Sequence, residues 1–233
     1  MSKAILVASL FALSLSLPTI ASASDREDDV TRIDRSTQVF KEIMDTPDKA
    51  IPNKSLDSAK CIAIVPGDKK FAFVFGGNYG RGVATCRTAK GWSAPMFVAV
   101  EGGSVGYQIG GSSTDIVMLF MNDHALQSLL GDKFKLGADA SVAAGPVGRD
   151  AAADTDIRLR AEILTYSRSH GVFAGVSLDG TVVEADRSGD HAMYGENVTR
   201  RQILDGGVKA PPSAKALVHE IDSRSAQARA NGN

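Results

Sequence analysis

Hydrophobic residues recur at helical spacing near the start of the chain and at strand spacing through its middle. From Asp25 to Thr46, Val30, Ile33, Thr37, Phe40 and Met44 fall on one side of a 3.6-residue repeat, while Asp28, Asp29, Arg32, Arg35, Lys41 and Glu42 lie elsewhere on it. The spacing predicts an amphipathic helix stopped before Pro47, whose ring cannot continue the ladder. A short second helix is expected after Pro52, in NKSLDSAK. From Cys61 the pattern changes. CIAIVP, FAFVFGG, GVATCR, APMFVAVEGG, VGYQIGG and TDIVMLFM are rich in β-branched and aromatic residues and punctuated by glycine, so each reads as a strand. Asn122 can cap a helix in NDHALQSLLGD, with Ala125, Leu126, Leu129 and Leu130 to one side. Arg158 to Ser169 and Val172 to Glu184 read as a hairpin turning at His170 and Gly171, with a second turn over Leu178 to Thr181. Helices are expected to close the chain, at about Val198 to Leu204 and about Ser213 to Ala228, ahead of a frayed tail.

Two departures from ordinary strand composition shape the expected fold. In FKLGADASVAAGPVGRD, Phe134 to Asp150, small residues replace nearly all bulky ones, so the backbone there must lie close to another strand. Gly76, Gly77, Gly80, Gly82, Gly102, Gly103, Gly106, Gly110 and Gly111 would weaken a flat sheet but suit one that bends sharply. No strand–helix alternation supports a doubly wound sheet. The expectation is an α+β fold: a strongly curved, glycine-rich, largely antiparallel or barrel-like sheet with N-terminal, middle and C-terminal helices.

The segments AKCIAIVPG, FGGNYGRGVATCR, GWSAPMFVAVEGGSVGYQIGGSSTDIVMLFMN, LGADASVAAGPVGRD, YSRSHGVFAGVSLDG and MYG, in that order, resemble the SYLF (Ysc84-like) domain, a lipid-binding family. The resemblance covers most of the chain. Taken with the pattern at the two ends, the sequence divides into a signal peptide at 1–23, a helical segment at 24–57, the SYLF domain at 58–195, and C-terminal helices with a tail at 196–233. The resemblance implies phosphoinositide and membrane binding without catalysis or cofactor, and, for yeast-type members, actin.

The N-terminus changes that picture. MSKAILVASLFALSLSLPTIASAS carries one lysine, an apolar stretch from Ala4 to Leu17, Pro18 and the small-residue pattern Ala21-Ser22-Ala23, as expected of a secretory signal cleaved after about Ala23. The apolar stretch is shorter than the ~20 residues that a spanning helix needs. The resemblance is therefore to an exported, bacterial-type member, periplasmic or secreted. Actin does not fit that compartment, and anionic phospholipids are more economical targets there than phosphoinositides. Cys61 and Cys86 are the only cysteines, and an exported chain meets an oxidising compartment. A disulfide between them is expected, with two buried thiols as the alternative.

Charge and motifs exclude more than they assign. Lys+Arg number 26 against 27 Asp+Glu, so no global basic balance points to nucleic acid. FGGNYGRG is out of order for a dinucleotide fingerprint, and no G-K-[ST] occurs, so no nucleotide is expected. The four histidines show no i, i+4 pair and Asp154-Thr155-Asp156 lacks a calcium loop's remaining positions, so no metal is expected. Gly102-Gly103-Ser104-Val105-Gly106 matches G-x-S-x-G, but the helix that a nucleophile elbow needs is replaced by the strand-like VGYQIGG. A serine hydrolase using Ser104 is thus a distant alternative. Basic residues beside glycine-rich turns, Lys69, Lys70, Arg81, Arg87, Lys133, Lys135 and Arg149, are the candidates for an anionic head group, because guanidinium forks and turn N–H groups suit phosphate oxygens. Trp92 and Phe97 in GWSAPMF are candidates for contact with a lipid interface, and Phe40, Ile43 and Met44 offer a face for membrane contact or for docking on the sheet. The second functional reading is an envelope structural or protein-interaction domain with a protein partner.

Overall fold

A computed structural model describes residues 21–46, 50–72, 76–104, 112–146, 161–169, 172–175 and 178–231. Helices α1 (Ala21–Met44) and α2 (Asn53–Ser58) precede strands β1 (Cys61–Ala72), β2 (Gly76–Thr88), β3 (Gly91–Trp92), β4 (Met96–Ser104) and β5 (Ser112–Phe120). Then come α3 (Asp123–Leu130), β6 (Lys133–Lys135), β7 (Val142–Ala144), β8 (Ile163–Ser169), β9 (Val172–Gly175) and β10 (Val182–Ala185). Helices α4 (Arg187–Tyr194), α5 (Arg200–Leu204) and α6 (Lys215–Asn231) follow, the last entered through a 3-10 turn, Pro212–Ala214. Asn122 caps α3 as the sequence implied, accepting from the Ala125 N–H at 2.9 Å.

The strands form one mixed sheet in the order β6-β10-β4-β2-β1-β5-β8-β7, with β3 added to β2 and β9 to β8. All pairings are antiparallel except β7 with β8. Its curvature follows from connectivity. A flat sheet would hold β6 and β7 about 34 Å apart at the usual ~4.8 Å strand spacing. Yet only residues 136–141 join them, a reach of at most about 24 Å even fully extended. The link is in fact turned back on itself: Gly137 takes φ +82°, its N–H donates to Ala140 O at 2.9 Å, and Leu136 bridges Ala140. The sheet therefore curls into a half-barrel, and the small-residue run is the strap between its edges. Gly145, just beyond β7, lies flat on the Tyr166 ring, where a Cβ would come within 2.2 Å of Cζ.

Two apolar clusters fill the two faces. Inside the curve, Ala63, Val65, Met96, Val98, Val100, Ile116, Met118, Phe120 and Ile163 meet Phe134 of β6, Leu136 just after it and Val183 of β10, with cover from α3 and α5 through Leu129, Ile203 and Leu204. On the other face, Ile62, Ile64, Val83, Phe97, Val117, Leu119 and Tyr166 pack under α1, α2 and α6 through Ile33, Phe40, Ile43, Leu56, Leu217 and Ile221. Phe40 and Ile43 are thus docked on the sheet, with Met44 against the same cluster.

Three elements depart from the sequence expectation. CIAIVP and the start of FAFVFGG are one strand, β1, carried past Pro66 by a bulge: the register jumps between Ile64 and Lys69 against β2 and between Val65 and Asp68 against β5. Proline has no N–H for a central ladder, so the strand bulges there instead of ending. Gly67 takes φ +59° and donates its N–H to Asp115 Oδ1 at 2.9 Å. Val172 to Glu184 is not one hairpin arm. β9 pairs with β8 as expected, whereas β10 crosses to the opposite side of the sheet, between β4 and β6. Helix α4 was not anticipated. VGYQIGG and 147–160 lie outside the described residues, as does the turn at His170 and Gly171.

Cys61 and Cys86 face one another in the β1–β2 register and form a disulfide. The bond closes a loop 25 residues apart in sequence, which stabilises by about 3 kcal/mol through the entropy of the unfolded chain. Urea unfolding with and without reductant should differ by about that amount, and Cys61→Ala/Cys86→Ala should abolish the reductant's effect.

Candidate functional site

The structure separates candidates whose side chains are tied into the fold from those that project along one edge. Arg81, on β2, donates to Asp186 Oδ2 from Nε at 3.1 Å and from Nη2 at 2.5 Å. Arg87 donates to the carbonyls of Leu56, Asp57 and Ala59 at 3.2, 3.1 and 3.3 Å, satisfying the end of α2, and lies 4.7 Å over the Trp92 ring. Both guanidinium groups are engaged within the fold. Trp92 is 6 % exposed and Phe97 fully buried, so neither reaches a surface as the GWSAPMF reading expected. Each is covered by an arginine instead, Phe97 by Arg32 at 5.0 Å. The backbones of Lys69 and Lys70 lie past the bulge, opposite Tyr79 and Asn78 on β2. Ser104 ends β4 opposite Gly76. Arg149 lies outside the described residues, as do Val105 and Gly106 of the G-x-S-x-G stretch.

A buried charge cluster joins α1, β2 and α4. Arg32 donates to Asp186 Oδ2 at 2.8 Å and pairs with Asp29 Oδ1 at 2.8 Å. Asp186 also caps α4, accepting from Ser188 Oγ at 2.6 Å and the Gly189 N–H at 3.2 Å. Burial works against its charge, but Ser188, the two arginines and Gly189 together hold its carboxyl well below the usual carboxylate range. One turn on, Asp190 accepts the Phe97 N–H at 2.8 Å through Oδ1, while Oδ2 is buried with no hydrogen-bond partner among the described residues. Burial, reinforced by the Asp186 and Asp29 charges, pushes Asp190 up to about 7. Burial likewise raises Asp29. Helical spacing placed Asp29 and Arg32 off the apolar face of α1, yet both are almost fully buried, at 2 % and 6 % exposure. They pair with each other across one helical turn, but the groups that complete the cluster, Arg81 and Asp186, lie about 50 and 155 positions away, which no local pattern reveals.

The exposed set converges at one edge of the half-barrel. Lys133 and Lys135 flank buried Phe134 on edge strand β6, so both point outward on one face. Beside them, at the corner between α3 and β6, Asp132 Oδ1 receives Nη2 of Arg187 from the start of α4 at 2.6 Å and Nη2 of Arg200 from the start of α5. The two guanidinium groups hold the Asp132 carboxyl below its ordinary range. Arg200 also donates to Gly131 O, and Arg201 to Gln127 Oε1 at 3.4 Å. Lys133 and Lys135 were candidates from sequence; Arg187, Arg200 and Arg201 were missed. Their only sequence signal is a basic residue at the start of each of two short helices. Among the described residues no group of His, Cys, Asp and Glu could hold a metal ion, and no helix is long and apolar enough to cross a membrane.

This helix-packed half-barrel is an α+β domain of the SYLF type. The chain belongs to the Ysc84 family, described as Las17-binding protein actin regulators, whose pattern matches residues 101–224. It is 38 % identical over 181 residues to protein YSC84 of Saccharomyces cerevisiae, covering 76 % of this chain and 38 % of that protein. It is 36 % identical over 181 residues to LAS seventeen-binding protein 3 of the same yeast, covering 76 % and 39 %. Against the human SH3 domain-containing YSC84-like protein 1 it is 32 % identical over 179 residues, covering 76 % and 52 %. The chain spans about half, or less, of the length of these relatives.

Proposed function

We propose that the chain is an exported, non-catalytic module that binds anionic phospholipid head groups at a membrane surface. The observation that carries this reading is the convergence of Lys133, Lys135, Arg187, Arg200 and Arg201, from three elements, at one exposed edge. A strand end and two helix starts fix the backbone from which these side chains project, so a head group would order side chains but not the frame that carries them. Export rests on the N-terminal sequence and accords with the Cys61–Cys86 disulfide.

Co-sedimentation with vesicles tests the reading. The protein should pellet with phosphatidylglycerol vesicles at low salt, release as ionic strength rises, and ignore phosphatidylcholine. Lys133→Glu/Lys135→Glu should weaken binding by at least about tenfold, each lysine near an anionic surface contributing about 1 kcal/mol. Absence of binding to every composition would sink the idea.

The family's description favours a second reading, a protein-interaction domain. Its mark would be capture of a defined envelope protein with no lipid required and no loss in the double lysine variant.

A further inference from the structure

We propose that Asp132 is a tethered counter-ion occupying a phosphate subsite formed by Arg187, Arg200 and Lys133, and that a phosphomonoester group displaces it. This rests on the head-group reading of the same edge and names the chemistry and control of that site.

Two guanidinium groups from different helices meet at a single oxygen, Asp132 Oδ1. Like charges repel, so bringing them together needs an anion between them, and the chain supplies its own. Asp132 is poorly suited to keep that place against a competitor. Its side chain is 66 % exposed and that of Arg187 63 %, the setting in which ion pairs contribute least. A carboxylate offers one negative charge, whereas a phosphomonoester carries between one and two at neutral pH and three oxygens for two forks. The receiving groups are unequal. Arg200 is only 16 % exposed and is anchored on Gly131 O, so it is a fixed wall. Arg187 is free to swing with the incoming anion. Lys133 follows Asp132 directly in the chain, and its strand partner is Glu184. Counting Lys133, Arg187 and Arg200 against Asp132, Glu184 and the partly ionised Asp190 that faces Arg200, the site carries between zero and one net positive charge at neutral pH, and neutralising Asp132 adds another. A phosphodiester, with one charge and two free oxygens, gains less from the site than a phosphomonoester.

Wild type, Asp132→Asn, Arg187→Ala and the double variant should be titrated with inorganic phosphate by calorimetry. The same four proteins are then sedimented with vesicles containing phosphatidic acid, a phosphomonoester lipid, or phosphatidylglycerol, a phosphodiester. Thermal melts establish that each variant is folded. Asp132→Asn should tighten binding to phosphatidic acid vesicles by roughly two- to fivefold, the worth of one exposed charge pair, with a smaller gain on phosphatidylglycerol. Arg187→Ala should cancel the gain. If wild type binds anionic vesicles in a salt-sensitive way but Asp132→Asn and Arg187→Ala leave binding unchanged, the subsite is overturned while the head-group reading stands. If Asp132→Asn gains affinity for inorganic phosphate, through Arg187, while no vesicle binds, the subsite stands and the lipid reading falls. No binding of any protein to phosphate or vesicles overturns both.

Discussion

Gly82→Ala should leave the protein unfolded, or destabilise it by at least about 4 kcal/mol and lower Tm by roughly 10 °C or more. A Cβ at residue 82 would stand 2.1 Å from Ile64 O and 2.8 Å from both Ile64 C and Val65 Cα. All three atoms are backbone, at the entry to the Pro66–Gly67 bulge in the centre of the sheet, where β1 is hydrogen-bonded to β2 on one side and β5 on the other. A side chain in the way could rotate; a doubly paired strand cannot withdraw without losing ladder bonds on both sides. Gly195→Ala is the control. Gly195 takes φ +91° and ψ 158°, a region that glycine alone enters readily, but has nothing within 4 Å of the new Cβ, so it should cost about 1–3 kcal/mol, all of it backbone strain. Urea denaturation of the two variants separates the effects. Comparable losses would show that the close approach at Gly82 is not what requires glycine there.

Asp186→Asn should cost about 3–5 kcal/mol, because it keeps a cap for α4 but leaves Arg32 and Arg81 without the carboxylate they share. The pH dependence should separate Asp186 from its neighbour Asp190. The pKa of Asp186 is lowered by folding, so its stabilisation is present above the ordinary carboxylate range and lost as pH falls below it. Asp190 behaves in the opposite sense. It is raised from 3.8 to about 7, so the stability associated with its protonated form is complete below the unfolded value and drains away as pH rises towards 7. Asp29, also raised by burial, adds to that limb. The groups facing Asp190 include Asp186 at the cap of its own helix, Tyr194 at that helix's end, Asp29 of α1 and Arg200 of α5. Wild type should therefore lose roughly 2–3 kcal/mol between pH 5 and pH 8 through Asp190. Asp190→Asn, which retains an acceptor for the Phe97 N–H, should flatten this limb and exceed wild type in stability at pH 8. Denaturant midpoints at five or six pH values read both effects. An Asp190→Asn profile parallel to wild type would show that Asp190 ionises without cost.

These two sites show where sequence reasoning reached its limit. Helix α1 was legible from its spacing, but the buried stripe includes Asp29, Arg32 and Ser36, because Asp186 and Arg81 wait opposite. Helix α4 was not legible. RSGDHAMY contains a glycine and little apolar periodicity, and the helix stands on its Asp186 cap and on Gly189 lying against Phe97, where a Cβ would meet the ring at 2.8 Å. Arg81 and Arg87 stand beside glycine-rich turns exactly as Lys133 and Lys135 do in sequence terms. Only their partners, a buried carboxylate for one and helix-end carbonyls for the other, tie their guanidinium groups into the fold, although 39 % of the Arg81 side chain stays exposed.

What the sequence determined by itself was local and compositional: helices from 3.6-residue spacing, strands from β-branched runs, a bent sheet from glycines, the cap at Asn122, the cysteine pair and the family. These follow from short-range sterics, turn chemistry and motif order. Tertiary structure alone decided that β10 crosses the sheet, that the small-residue run straps one edge to the other, and which cations face solvent. Those outcomes depend on pairing between residues far apart in the chain, whose energies no local pattern carries. The basic edge at Lys133 is such an outcome, assembled from a strand and two helix starts that only the curl of the sheet brings together.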